Sequence, residues 1–134
     1  MQLKITRSQR TGGLLGSTAI FIVDARVQFT SEEQANITRY KLGGQAIYNS
    51  ATSAKHLESM RDDANAATLA KNIYHLAASK LALNITINSL QNGQHIECKS
   101  LDEVLGAEEA LMEACTSLGN YLDTAATFDG RAVL

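Results

Sequence analysis

From Thr18 to Phe29 the chain alternates with period two: Ala19, Phe21, Val23, Ala25, Val27 and Phe29 fall on one side, and Thr18, Ile20, Ile22, Asp24, Arg26 and Gln28 on the other. That period belongs to a strand, where successive side chains leave opposite faces. A strand of this length cannot stand alone, because its backbone donors and acceptors need partners. The fold must therefore contain a sheet built around it. Ile20 and Ile22 make its first half apolar on both sides, which reads as burial on both faces, whereas Asp24, Arg26 and Gln28 wet one face of the second half. The nearest partner is Leu3 to Arg10, where Leu3 and Ile5 alternate with Lys4 and Thr6. The break at Thr11-Gly12-Gly13 makes this an edge or near-edge strand joined to the first by a glycine-rich turn.

Helix signals follow. Thr30-Ser31-Glu32-Glu33 has the spacing of a capping box, which predicts a short helix to about Leu42 stopped by Gly43-Gly44. Residues 45–50, with Ile47 and Tyr48 as their large apolar side chains, read as a short strand. Ala54, Leu57, Met60, Ala64, Ala67, Ala70, Ile73, Tyr74, Ala77 and Leu81 recur at three- and four-residue steps and predict a long amphipathic helix over 51–81. Its alanine-rich stripe permits close approach to a neighbour.

Over residues 83–99, Leu83, Ile85 and Ile87 alternate with polar residues, Asn92-Gly93 suits a type I′ turn, and Ile96 and Cys98 resume the alternation. The predicted hairpin pairs Ile87 with Cys98 and Ser89 with Ile96. Ser100 to Glu103 repeats the capping-box spacing and opens a second long helix to about Asp123, before an expected last strand within 126–134. The expected fold is one α+β domain over residues 1–134. It has an antiparallel sheet of four to six strands with two long helices and one short helix packed mainly on one face, in the order β-β-α-(β)-α-β-β-α-β.

Several chemistries are disfavoured by spacing. Gly12-Gly13-Leu14-Leu15-Gly16-Ser17-Thr18 lacks the lysine and the following helix of a phosphate loop. His95 and Cys98, three apart on a strand, face opposite ways; His56 and His75 would lie roughly 29 Å apart on one helix. Cys98 and Cys115 fall on apolar stripes, as packed thiols do. No metal, cofactor or catalytic set emerges, and the reading leans away from an enzyme. No run of 18 uninterrupted apolar residues and no signal-peptide pattern is present, so no membrane association and a cytoplasmic location are expected.

Charge is the one asymmetry. Residues 1–100 hold eleven Lys or Arg against seven acids, while residues 101–134 hold one Arg against seven acids. Lys4, Arg7, Arg10, Arg26, Arg39 and Lys41 are candidates for a basic patch. Asp24 is expected to pair with Arg26 along its strand face. The chain contains no proline, so proline cannot guard a sheet edge. The leading expectation is accordingly a non-enzymatic protein acting by protein–protein interaction and associating with itself, most simply as a dimer. One alternative is a small-molecule-binding domain or enzyme with a sheet–helix pocket using Asp24, Arg39 and Tyr48. Another is nucleic-acid binding by the basic N-terminal hairpin, which the few aromatics and the net charge of −2 make the weaker reading.

Overall fold

The computed structural model describes residues 1–13, 16, 18–52 and 73–128. Its elements are β1 (Gln2–Gly12), β2 (Thr18–Gln28), α1 (Ser31–Arg39), β3 (Ala46–Asn49), α2 (Ile73–Ser79), β4 (Asn84–Thr86), α3 (Ile87–Asn92), β5 (Gln94–Cys98) and α4 (Leu101–Thr127). The mixed α+β class, the antiparallel pairing and the long C-terminal helix agree with the sequence pattern. The strands form two sheets instead of one, a three-stranded β1-β2-β5 sheet and a two-stranded β3-β4 sheet.

β1 and β2 pair without a bulge from Gln2↔Gln28 to Gly12↔Thr18. In the connection Gly13 and Gly16 take φ of +81° and +63°, which a side chain would disfavour. The alternation then does its work: Val23, Ala25 and Val27 are buried, with Ile96 and Cys98 of β5 beside them on the same face. The doubly buried first half of β2 is not found, since Ile20 and Ile22 are only half-buried on a face that no described helix covers.

The 83–99 hairpin is also not formed. Strand β4 ends at Thr86, whose hydroxyl accepts the Ser89 amide at 3.1 Å while its own amide donates to Ser89 Oγ at 2.9 Å. This reciprocal cap starts a helix where the alternation predicted more strand. Ile87 and Leu90, three residues apart and both fully buried, sit on its inner face. β5 consequently pairs with β2, setting Ile96 against Val23 and Cys98 against Phe21. Ile85, Ile87, Ile96 and Cys98 still enter one core, by a different route.

The other caps behave as the sequence requires. Thr30 and Glu33 form the full box of α1, which ends at Arg39. Ser100 accepts the Glu103 amide at 3.2 Å and opens α4. This helix runs four residues beyond its expected end near Asp123 and packs against α2, β3, β2, α1 and β5. Its small residues are what let α2 approach. A β-carbon on Gly106 would stand 2.3 Å from the Tyr74 carbonyl oxygen and 2.8 Å from the Ala78 nitrogen, so the two backbones touch there. The body of the predicted 51–81 helix and the predicted terminal strand lie largely outside the described residues; Ile73–Ser79 is helical, and Phe128 continues α4 as a helical turn.

Buried Ser50 ties this part together, donating to the Ala78 carbonyl at 3.2 Å and accepting the Leu83 amide at 2.8 Å. No described helix is long and apolar enough to cross a membrane.

Candidate functional site

The residues singled out by charge fall in three places. On the open face of the larger sheet, Lys4 lies opposite Arg26, and Thr6, Asp24 and His95 form one row across the three strands. Asp24 does not pair with Arg26. Its Oδ1 lies 2.6 Å from His95 Nδ1, because the cross-strand neighbour is closer to hand than the residue two along the same strand. His95 Nε2 lies 3.6 Å from Glu97 Oε1, an oxygen that also accepts from Arg10 Nη2 at 2.6 Å. The Asp24 hydrogen bond raises the His95 pKa above its ordinary value despite some desolvation, and Glu97 adds to the rise. Glu97 is in turn lowered, first by Arg10 and then by His95. A carboxylate lies beside each ring nitrogen, an arrangement that favours the charged imidazolium over the neutral ring.

The second place is the flank of β1. Arg7 Nε and Nη2 donate to the two carboxylate oxygens of Glu108 at 2.8 and 2.5 Å, a two-pronged pair between β1 and α4. A β-carbon on Gly119 would have Met1 as its nearest neighbour, 3.9 Å away. With Arg7 at Glu108 and Met1 near Gly119, α4 runs antiparallel alongside β1. Met112, one turn beyond Glu108 on this flank, is 56% exposed. On its far side β1 has no strand partner among the described residues.

The third place is a groove of about 1130 Å³ between the end of β2, α1 and α3, where Arg26 and Arg39 are both found. β5 pairs with β2 only over Phe21–Ala25, so the last three residues of β2 continue past it and leave a notch. Across the notch Arg26 Nε donates to the Gln91 carbonyl at 3.2 Å, and the Gln91 side chain donates to Gln34 Oε1 at 2.5 Å. Arg39 lies over the Tyr40 ring, 5.1 Å from its centroid.

Asp24, Arg39 and Tyr48 are thus separated. Tyr48 is buried in the core on β3, Asp24 is on the open face, and Arg39 lines the groove. Lys41 is exposed in the turn after α1, at φ +55°. Cys98 is fully buried, which pushes its thiol up to about 11 with help from Glu103 and Glu108, and burial also raises half-buried Cys115. No group of three metal-ligating side chains converges among the described residues.

Sequence reasoning assigns no role to Glu97, Gln34 or Gln91, and reads Glu108, with Glu109, as part of a solvated helix face. His95 and Glu97, two apart on a strand, carried a signal, since that spacing puts both on one face. Arg7 and Glu108 lie 101 residues apart and carried none. Comparison with family models, curated proteins and solved structures yields no match to this chain, so its residues and their geometry are what speak to its function.

Proposed function

We propose that this protein is a non-enzymatic association module whose β1 edge pairs with the β1 edge of a second copy. The observation that carries the reading is the edge itself. It runs unbroken for 11 residues, with no bulge and no proline, and β2 is its only strand partner among the described residues. Edges of that kind template a further strand. Pairing along it would extend over roughly 35 Å and join two three-stranded sheets into one of six.

Three cations on β1 would ordinarily protect it. A two-fold axis at Arg7 would set Lys4 of one copy against Arg10 of the other, and like charges face to face disfavour pairing. Within each chain, however, Glu108 compensates Arg7 and Glu97 compensates Arg10. Two of the three β1 cations thus already hold an acid within the chain, which weakens nucleic-acid binding by this hairpin while leaving the edge available. Exposed Met112 beside β1 supplies apolar surface for a partner to cover.

Sedimentation velocity from low to high micromolar concentration tests this, with Thr6→Pro and Gln9→Pro as paired variants. Neighbouring strand residues of opposite parity point their amides to opposite sides, so one substitution breaks the β1-β2 ladder and the other removes only an outward amide. The wild type should dimerise, and the variant that keeps its circular dichroism spectrum should be monomeric. A wild type that stays monomeric throughout, or a folded outward variant that dimerises normally, would overturn the reading.

A further inference from the structure

We propose that the groove between β2, α1 and α3 binds an extended peptide segment bearing carboxylate side chains, a site independent of the β1 edge. The first observation is a local reversal of charge. The chain carries a formal net charge of −2, yet among the described residues the groove is lined by Arg26 and Arg39 and by no acid.

The second is that Arg26 is already oriented. Its Nε donates to the Gln91 carbonyl, so one edge of the guanidinium is fixed and its terminal nitrogens remain to meet a carboxylate, the geometry in which arginine recognises anions best. The Gln34–Gln91 hydrogen bond braces α1 against α3 beneath it, so little ordering remains to be done on binding. Arg39 keeps its own contacts, including Tyr40, and adds its charge to the lining.

The shape selects a peptide over a small anion. The groove, of about 1130 Å³, is open and far larger than a phosphate needs. Along it α1 presents Ser31, Gln34, Ala35 and Thr38, a face about 10 Å long, the span of three to four extended residues. Side-chain amides of Gln28, Gln34 and Gln91 both donate and accept, which suits a peptide backbone, and Phe29 gives an apolar contact. The ligand class is therefore a short acidic stretch in extended form, with a carboxylate on Arg26 and its backbone among the glutamines.

The test is fluorescence anisotropy with a labelled heptapeptide alternating glutamate and alanine, against its glutamine and lysine counterparts, with inorganic phosphate and a short single-stranded DNA as competitors. Side-chain amide shifts of Gln34 and Gln91 in a ¹⁵N correlation spectrum locate the site. The acidic peptide should bind at least tenfold more tightly than the other two and move both amides. Arg26→Gln should weaken it at least tenfold, while Arg7→Gln, on the β1 flank, leaves it unchanged. Equal binding of the three peptides, equal loss in both variants, or displacement by phosphate or DNA at peptide-like concentration would each overturn the proposal. So would peptide binding that leaves the two glutamine amides unmoved. Dimerisation through β1 is read separately by sedimentation, so either idea can fail without the other.

Discussion

The two faces of the β1-β2-β5 sheet are made by the same strands and hold together by different means. Toward α4 lie Val23, Ala25, Val27, Ile96 and Cys98, each at most 3% exposed. On the other face lie Asp24, His95, Glu97 and Arg10, joined by ion pairs whose side chains are about half exposed. Burial of apolar surface stabilises a fold by kilocalories per side chain, whereas exposed ion pairs contribute little because water and salt screen them. The covered face thus carries the stability. The open face carries charge chemistry that can change without unfolding the protein.

Neighbouring residues of β5 make the sharpest break in that comparison. Ile96→Ala should cost about 3 kcal/mol in urea denaturation, the usual range for an isoleucine lost from a packed core. His95→Gln, one residue earlier and on the opposite face, should leave the midpoint almost where it was. A cost for Ile96→Ala below about 1 kcal/mol would mean that the sheet does not rest on α4 as described. A comparable loss in both variants would mean that the open face is also structural.

The next effect is smaller and concerns the segment where sequence and structure part. Thr86→Val removes the cap of α3 while keeping the shape of the side chain, and should cost about 1 kcal/mol, as cap losses do. Were residues 83–91 a strand, as the alternation alone predicts, valine would be neutral or favourable there. Stabilisation by this substitution would restore the hairpin and remove the basis for the β2-β5 pairing.

That segment shows what could be read in advance. β1 and β2 were legible because a period-two pattern spans many residues and a one-residue slip would turn every apolar side chain outward. The caps at Thr30 and Ser100 were legible because the capping chemistry is local. Residues 83–91 fit both periods: Ile85 and Ile87 alternate, but Ile87 and Leu90 are also one helical turn apart, and the decision fell to Thr86 and Ser89. The sites were less legible still. Arg7–Glu108 and Arg10–Glu97 join residues that only the fold brings together. Two members of the basic cluster, Arg7 and Arg10, are therefore paired with acids, and two others, Arg26 and Arg39, 13 positions apart, come to line one groove.

The smallest expected effect is the most specific to the open face. Asp24, with Glu97 in support, raises the His95 pKa, so the folded protein binds this proton more tightly than the unfolded chain does. The sign follows. The bridge contributes its stability in full below the ordinary histidine value of about 6.5, and that contribution fades as pH rises through the higher folded value. Because the imidazole is 55% exposed, the measurement that resolves it is the titration of the His95 ring by nuclear magnetic resonance, not denaturation. Its midpoint should lie above the ordinary value in the wild type. It should fall in Asp24→Asn, where the larger partner loses its charge, and fall less in Glu97→Gln, where the weaker contact is lost. A wild-type midpoint at or below the ordinary value would sever the Asp24–His95 bridge, and with it the claim that ion pairs join β5 to β2 on this face. A larger fall in Glu97→Gln than in Asp24→Asn would move the dominant partner of His95 from β2 to β5 itself.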